Sequence, residues 1–266
     1  MPQETARILW NNAEDDEYYR IGLTCDPEYA TAVPGQFVTL KIPGRHDPLL
    51  RRPFSIHRLL RRDGKIYGLE ILYRVVGGFT RGLAEKESGS TVDLLGPLGH
   101  GFTISKGMAK PVLVGGGIGV APLVFLAEAL HAARVDLSEG MAFIGGRTAG
   151  DILCQTDFDR LDMPVTITTE DGGLGRKGLI TGPLEEWLAG NRSDMLYACG
   201  PHGLLRALSK IAVDRGIRSE LSIETVMACG LGVCMGCAVK TNDLAEGYRH
   251  VCKHGPVFDA GVLVFD

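Results

Sequence analysis

Four cysteines near the C-terminus have a spacing suited to binding an iron–sulfur cluster. The chain reads Cys229-Gly-Leu-Gly-Val-Cys234-Met-Gly-Cys237, and a fourth cysteine, Cys252, follows later. Thiolates are soft ligands that favour iron–sulfide, and C-x4-C-x2-C with a distant fourth cysteine is typical of 2Fe–2S centres. The intervening glycines let the backbone curl closely around the sulfur atoms. The spacing therefore predicts a 2Fe–2S cluster on these four cysteines.

A structural zinc site is the main alternative for the same residues. Zinc is commonly bound by paired C-x2–4-C units, whereas the second half of this motif offers only Cys252. Simple burial of the four as small apolar side chains fits less well, because four of the chain's seven cysteines lie in one short stretch. From the residues alone, a zinc site remains an alternative. Visible absorbance distinguishes the two sites, because a 2Fe–2S cluster absorbs visible light and zinc does not.

The composition indicates a globular protein of ordinary charge. The 266 residues are 45% hydrophobic and 23% charged, with a formal net charge of −4. A chain of this length can form two domains and a small module, and its negative charge is unfavourable for nucleic-acid binding. The cysteine content and the lack of an apolar leader favour a reducing, cytoplasmic compartment. The uncharged run 111–127 contains three consecutive glycines, which favours a strand, turn and helix over a membrane span.

Short apolar segments separated by glycine and proline predict a small antiparallel barrel in the first hundred residues. The predicted strands are 7–10, 18–25, 37–42, 54–60, 66–74 and 91–95. Arg52-Pro53-Phe54-Ser55 is a candidate anion-binding segment, because Pro53 interrupts a strand ladder and arginine binds phosphate well. Gly77-Gly78-Phe79-Thr80 is a second candidate, as a glycine turn entering a helix. Each alone is also explained by a surface arginine or a plain turn, but together they suit a flavin dinucleotide.

The middle of the chain alternates strands and helices, which predicts a doubly wound parallel sheet. Strands are predicted at 111–114, 141–145, 165–169 and 195–198, and helices at 121–134, 179–188 and 203–215. Gly115-Gly116-Gly117-Ile118-Gly119 follows the first strand and opens a helix, where a pyrophosphate is commonly held. Cys199-Gly200-Pro201 ends the last strand at the ligand-binding edge, although a buried turn explains it equally well. Arg147 follows the second strand, where a 2′-phosphate would be bound, but Asp151 is also near. The choice between NADH and NADPH therefore stays open.

These motifs occur in one order that resembles the ferredoxin–NADP reductase superfamily: R-P-F-S, G-x-x-T, G-G-G-I-G-x-A-P, C-G-P and the four cysteines. The match spans nearly the whole chain, and the stretch from Met227 to Phe258 most resembles the electron-transfer subunits of class 1B dihydroorotate dehydrogenase. The resemblance implies a β plus α/β fold. An FAD-binding antiparallel β-barrel would occupy residues 1–103, an NAD-binding α/β domain 104–222, and a 2Fe–2S module 223–266.

The resemblance also implies the cofactor contacts and assigns no catalytic acid or base to this chain. FAD would be bound by Arg52, Pro53, Phe54, Ser55, Leu72, Tyr73, Arg74, Phe79 and Thr80. NAD would be bound by Gly115, Gly116, Gly117, Gly119, Cys199, Gly200 and Pro201. Phe79 departs from the family pattern, which usually has a glycine there, and a side chain at this position could alter the approach of the backbone to the flavin pyrophosphate.

The partner implied by the resemblance is an FMN-containing catalytic subunit that oxidises dihydroorotate in pyrimidine biosynthesis, in a heterotetramer of two copies of each chain. Electrons would pass from FMN through the cluster and FAD to NAD+. Two alternatives remain at this stage. One is a flavin and iron–sulfur subunit of an NAD(P)H–ferredoxin oxidoreductase or a sulfide dehydrogenase. The other is a zinc-stabilised binding protein on the same scaffold.

Overall fold

Two seven-stranded sheets and a two-stranded hairpin form the framework of the residues that the structure describes. The structure is a computed structural model, and it describes residues 2–45, 47–242 and 247–265. The first sheet is antiparallel and the second is mainly parallel, which confirms the predicted combination of β and α/β architecture.

The first sheet is formed by the N-terminal strands in the order β4-β3-β7-β1-β2-β6-β5. Its strands are β1 (Gln3–Ala13), β2 (Tyr18–Thr24), β3 (Phe37–Lys41), β4 (Arg52–Ser55), β5 (Arg58–Arg62), β6 (Lys65–Arg74) and β7 (Thr91–Leu98). A short helix, α1 (Gly78–Ala84), lies between β6 and β7. Pro53 lies in the edge strand β4, where a missing ladder N–H is tolerated, as its position predicts.

The segment 54–60, predicted as one strand, is two strands that change partners. Ile56 donates its N–H to the carbonyl of Gln36 beside β3 at 3.1 Å, whereas His57 donates to Glu70 of β6 at 2.9 Å. The chain therefore crosses from one edge of the sheet to the other between β4 and β5. Since these consecutive strands form opposite edges, the crossing curls the sheet towards a barrel.

The second sheet has the order β11-β10-β9-β8-β12-β13-β16, parallel except between its last two strands. Its strands are β8 (Pro111–Gly116), β9 (Met141–Gly146), β10 (Val165–Thr169), β11 (Arg176–Lys177), β12 (Met195–Cys199), β13 (Ser219–Ser222) and β16 (Val257–Asp259). Its helices are α2 (Ala121–Ala132), α3 (Gln155–Asp159), α4 (Thr181–Gly190) and α5 (His202–Arg215). The run 111–127 forms β8, a 3-10 turn and the start of α2, as predicted. Among the described residues, no helix has the length and apolarity needed to cross a membrane.

The two units share apolar side chains. Phe125 of α2 packs into the core of the barrel, and Tyr18 and Leu72 of the barrel pack into the core of the second unit. Contacts that remove apolar surface from water on both sides hold the units together. The cleft between them therefore has walls of defined position.

The C-terminal segment returns to the second sheet after forming a small hairpin. The hairpin strands are β14 (Ala238–Lys240) and β15 (Tyr248–His250), followed by the short helix α6 (Val251–His254). Strand β16 then pairs antiparallel with β13, placing Leu221 opposite Phe258. His100 of the barrel donates its N–H to the carbonyl of Gly255 at 2.6 Å. The segment with the four cysteines is thus attached to both units.

Candidate functional site

A cavity of about 880 Å³ opens between the barrel and the second unit. Its wall brings together every residue predicted to contact FAD, although these residues come from β4, from the end of β6 and from the start of α1. They are Arg52, Pro53, Phe54, Ser55, Leu72, Tyr73, Arg74, Phe79 and Thr80. The sequence motifs thus converge on one concave surface of the size typical of ligand sites.

An aromatic cluster supports this wall. The ring of Phe54 lies 6.1 Å from that of Tyr73 and 6.0 Å from that of Phe79. Tyr73 donates its hydroxyl to Oδ1 of Asn11 at 3.0 Å, and Asn11 donates to the carbonyl of Leu83 at 2.8 Å. These contacts fix α1 against the sheet and give the cavity a rigid apolar surface suited to a flat ring.

Phe79, the departure from the family pattern, packs its side chain into the barrel core. The two preceding glycines keep the turn open, since a Cβ on Gly77 or Gly78 would meet no atom within 4 Å. Thr80 Oγ1 accepts hydrogen bonds from the N–H groups of Val76 at 2.9 Å and Gly77 at 3.1 Å. Phe79 replaces the glycine of the family pattern, but its side chain packs into the core. The backbone of the turn therefore stays accessible from the cavity.

Cationic groups lie at the rim of the same cavity. Arg52 donates to the carbonyl of Leu50 at 2.9 Å, which holds its guanidinium beside β4. Arg45, which the motifs did not predict, lines the cavity and lies against Gly82, where a Cβ would collide with its guanidinium. Arginines at the rim and aromatic rings within match the phosphates and the flat ring of a flavin dinucleotide. The residues present therefore fit FAD.

A second cavity of about 740 Å³ lies over the carboxyl edge of the parallel sheet. Five of the residues predicted to contact NAD line it: Gly116, Gly117, Gly119, Gly200 and Pro201. This is the edge where open α/β sheets bind their ligands. Glycines there leave room for a pyrophosphate to approach the backbone, so this wall fits a dinucleotide.

Gly115 and Cys199, which were also predicted to contact NAD, are absent from the lining of the second cavity. Cys199 is fully buried, and burial raises the pKa of its thiol. A Cβ on Gly119 would lie 2.5 Å from the carbonyl oxygen of Cys199, so the glycine turn rests directly on the end of β12. The structure thus places Cys199 behind the turn as a support.

Asp151 organises the loop after β9 at the far side of the second cavity. It accepts hydrogen bonds from the hydroxyl of Tyr18 at 2.8 Å and from the N–H groups of Arg147 at 3.1 Å and Thr148 at 3.3 Å. Burial opposes ionisation, but these donors outweigh it and hold the pKa of Asp151 below its usual range. The exposed Arg147 side chain lies 3.6 Å from the same carboxylate, which partly neutralises it.

The two cavities meet at a shared wall formed by Arg74, Ile118, Ile223 and Glu224. Glu224 is exposed to the cavity, and the protein around its carboxyl partly desolvates it and raises its pKa. The motifs missed Glu224, although its position just after β13 at the ligand-binding edge was an available signal. Ligands in the two cavities can therefore touch.

The four cysteines also come together. Cys237 and Cys252 place their Sγ atoms 3.3 Å apart, and Gly232 donates its N–H to Cys252 Sγ at 3.1 Å. Cys229 Sγ accepts from the N–H groups of Leu231 at 3.3 Å and Cys234 at 3.4 Å. Such backbone donors are suited to sulfur atoms that carry negative charge.

The thiols of Cys252 and Cys229 differ in acidity. Burial and the adjacent Cys237 raise the pKa of Cys252 to about 12, so two ionised sulfurs at this separation require positive charge between them. Burial also opposes ionisation of Cys229, but the N–H groups around it prevail and lower its pKa to about 6. Four cysteines in one segment, with Cys237 beside Cys252 and Cys229 beside Cys234, fit an iron–sulfide cluster.

Comparison with known proteins assigns these parts. Residues 224–264 match the iron–sulfur cluster binding domain of dihydroorotate dehydrogenase B, and residues 113–210 match the oxidoreductase NAD-binding domain. The chain is 37% identical over 236 residues to the dihydroorotate dehydrogenase B (NAD(+)) electron transfer subunit of Desulforamulus reducens, with 88% of each chain covered. It is 35% identical over 261 residues to the subunit of the same name from Caldanaerobacter subterraneus, with 98% of each covered.

Solved structures agree on the fold. An NADH-dependent reduced ferredoxin–NADP oxidoreductase, studied for flavin-based electron bifurcation, matches with a TM-score of 0.84 and 25% identity, covering 98% of this chain and 90% of that one. A ferredoxin–NADP+ reductase from Neisseria gonorrhoeae with bound FAD and NADP matches with a TM-score of 0.65 and 16% identity, covering 81% and 92%.

Fold and site together define an oxidoreductase of the ferredoxin reductase type that binds FAD and NAD and carries a 2Fe–2S module. Within that class, the chain belongs to the family of dihydroorotate dehydrogenase B (NAD(+)) electron transfer subunits. The match to the cluster-binding family favours iron over the zinc alternative.

Proposed function

We propose that this chain carries electrons between a catalytic partner and NAD+ as the electron transfer subunit of a dihydroorotate dehydrogenase. One observation carries the proposal. The first cavity meets the nucleotide turn at Ile118 on one side and the cysteine segment at Met227 and Pro256 on the other. A flavin in that cavity would lie between nicotinamide and cluster, the order that an electron relay requires.

In this proposal each wall of the site has a separate task. Arg52 and Arg45 hold the flavin phosphates, and the cluster of Phe54 and Tyr73 fixes the ring position. Gly117 and Gly119 admit the nucleotide pyrophosphate to the turn before α2. Bound FAD supplies the chemistry that joins two-electron exchange with nicotinamide to one-electron exchange with the cluster. The protein positions these groups and excludes water from their contact.

The nucleotide is proposed to be NAD rather than NADP. Reading a 2′-phosphate needs an available cation, and the one beside β9, Arg147, lies 3.6 Å from the Asp151 carboxylate. Glu170 adds a second carboxylate to the lining of the same cavity. Negatively charged carboxylates beside a 2′-phosphate are unfavourable, so this end of the cavity favours the unphosphorylated ribose of NAD.

The partner is proposed to be an FMN-containing subunit, with two copies of each chain in a cytoplasmic complex. The cysteine segment presents exposed apolar side chains: Leu231, Val233 and Met235 are 45%, 78% and 58% exposed. Their exposure favours a role at the interface over burial under their own module. The proposed boundaries remain 1–103, 104–222 and 223–266, with β16 of the last part completing the second sheet.

Anaerobic titration of the purified chain with NADH tests this function. NADH should bleach the flavin absorbance and then reduce the cluster, without any added partner. Dihydroorotate alone should leave both unchanged, because its oxidation resides on the partner. A chain that stays oxidised with NADH, or that is reduced by dihydroorotate alone, would contradict the proposal. Reduction by NADPH in preference to NADH would instead favour the ferredoxin oxidoreductase alternative.

A further inference from the structure

A buried group of charged side chains joins the barrel to the second unit, away from the cavity walls described above. Arg20 of β2 and Arg58 of β5 both donate to Asp157 of α3, at 2.8 Å and 2.7 Å. Asp157 is 5% exposed. Two charged donors on one buried carboxylate form a strong tie between the units.

This group is not a metal site, although His57, Cys154 and Asp157 bring potential ligand atoms within 4.8 Å of one another. The guanidinium of Arg20 lies among them, 3.0 Å from His57 Nε2 and 3.6 Å from Cys154 Sγ. The cationic guanidinium of Arg20 thus already lies between these atoms, and it would repel a metal ion.

His57 is fully buried in the same group and contacts both units. Its Nδ1 lies 2.8 Å from the carbonyl oxygen of Ala121, and its Nε2 lies 3.0 Å from Nη1 of Arg20. Arginine can only donate, so Nε2 must accept and the ring proton must be on Nδ1, donating to Ala121. Burial, together with Arg20 and Arg58, lowers the pKa of His57 to about 3, so the ring is neutral at neutral pH.

The two ends of this hydrogen bond lie next to the two ligand-binding walls. His57 is two residues after Ser55, which lines the flavin cavity. Ala121, the first residue of α2, also lines the flavin cavity and directly follows the turn that lines the nucleotide cavity. Arg20 holds the ring from behind and is itself held by Asp157. The bond therefore connects the flavin wall to the nucleotide turn through buried, oriented groups.

We propose that His57 is a positioning residue: its hydrogen bond to the Ala121 carbonyl sets the distance between nucleotide turn and flavin wall at which nicotinamide meets flavin. The inference rests on the proposed function. In the step it serves, NADH gives a hydride to the flavin, which also takes one proton from solvent, leaving NAD+. Such transfers need reacting atoms about 3–3.5 Å apart, and a misplacement of about 1 Å can slow them on the order of a hundredfold.

Two substitutions separate the two hydrogen bonds of His57. His57→Asn keeps a donor near the position of Nδ1 and loses the acceptor for Arg20. His57→Gln keeps an acceptor near the position of Nε2 and loses the donor to Ala121. Both keep a neutral polar group in the same buried place, so each is the other's control for general destabilisation.

The variants are compared as full chains carrying FAD and cluster. In stopped-flow reduction by NADH, His57→Gln should lower the limiting rate by about tenfold or more, with its NADH Kd and FAD content nearly unchanged. His57→Asn should retain the wild-type rate within about threefold. Without NADH, hydrogen–deuterium exchange in residues 118–124 should speed up in His57→Gln and not in His57→Asn.

Equal rates and equal exchange in both variants would overturn the positioning role, as would a larger loss in His57→Asn. A wild-type chain that NADH cannot reduce would contradict the proposed function instead, while the exchange comparison would still decide whether this bond holds the turn. If the substitutions prevent folding, nitrogen-15 spectra of the wild-type chain can instead show which ring nitrogen of His57 carries the proton. A proton on Nδ1 of His57 supports the inference, and a proton on Nε2 refutes it.

Discussion

Cys237 and Cys252 place their sulfur atoms 3.3 Å apart, although 15 positions separate them in the chain. The antiparallel hairpin of β14 and β15 produces this contact, because it pairs Ala238 with His250 and so brings the residues beside them together. The carbonyl of Cys237 also accepts the N–H of Val251 at 3.0 Å. Strand register thus positions Cys252, the proposed fourth cluster ligand.

Loss of either of these cysteines should remove the cluster. Cys237→Ala and Cys252→Ala should each lose most of the roughly two irons and two sulfides expected per chain. Cys25→Ala is the matched control, since Cys25 is buried in the barrel core and should leave the metal content unchanged. Iron and sulfide analysis after anaerobic purification measures both. Stoichiometric zinc without iron in the wild-type chain would refute the cluster assignment.

Arg52→Ala should weaken FAD binding by about tenfold to a hundredfold, equivalent to about 1.5–3 kcal/mol, because a charge-assisted contact to phosphate is lost. Fluorescence titration with FAD measures the affinity. The adjacent Arg51 is a matched control. Its Nη2 lies 2.6 Å from Oδ2 of Asp93 on the barrel, and it does not line the cavity. Arg51→Ala should lower stability and leave FAD affinity intact. Equal FAD affinity in Arg52→Ala and wild type would remove this segment from the flavin site.

Gly119→Ala should disrupt the nucleotide turn. Its Cβ would lie 2.5 Å from the Cys199 carbonyl, so the turn must move, with a loss of stability of about 1–3 kcal/mol. NADH affinity, measured by titration, should fall at least about tenfold, since Gly117 and Gly119 of this turn line the nucleotide cavity. Gly190→Ala in α4 is the control, because Gly190 does not line the cavity and a Cβ there meets no atom within 4 Å. Matching NADH affinities in the two variants would argue against a nucleotide at this turn.

Asp157 should make stability depend on pH in the acid range. Burial raises its pKa, but the hydrogen bonds from Arg20 and Arg58 prevail and lower it from 3.8 to about 2. A carboxyl group whose pKa is lower in the folded state than in the unfolded state stabilises the fold at pH values above its unfolded-state pKa. This stabilisation is lost as the pH falls through the folded-state pKa. Asp157→Asn should therefore cost about 1.5–3 kcal/mol near pH 7 by urea unfolding, and the difference should shrink as pH approaches about 2.5. A difference that is constant with pH would mean that the carboxylate charge is not what joins the units.

The sequence motifs predicted the cavity walls well where residue type follows from local chemistry. Pro53 in an edge strand and the glycine turn before α2 are such positions, because proline and glycine restrict or free the backbone by themselves. The cysteine spacing likewise predicted a shared site, and the structure places Cys237 beside Cys252 and Cys229 beside Cys234. Cys199 was different: its motif marks the end of β12, but which way the thiol points depends on the packing of the turn above it.

Features that depend on distant partners were not predicted. Nothing near His57 in the sequence shows that its ring meets Ala121, because that contact is made by the docking of α2 against the barrel. The split of the predicted strand 54–60 has the same origin, since Ile56 and His57 bond to different strands. Strand β16 was also missed, as only its pairing with β13 makes three residues a strand.

Reconstitution with an FMN-containing dihydroorotate dehydrogenase subunit tests the central claim most directly. The measurement is NADH formation from dihydroorotate and NAD+ by the mixed subunits, beside each subunit alone and beside a mixture containing Cys237→Ala. NADH formation is expected only in the wild-type mixture, with the cluster variant strongly impaired. NADH formation that persists undiminished without the cluster, or a wild-type mixture that never couples dihydroorotate to NAD+, would contradict that claim.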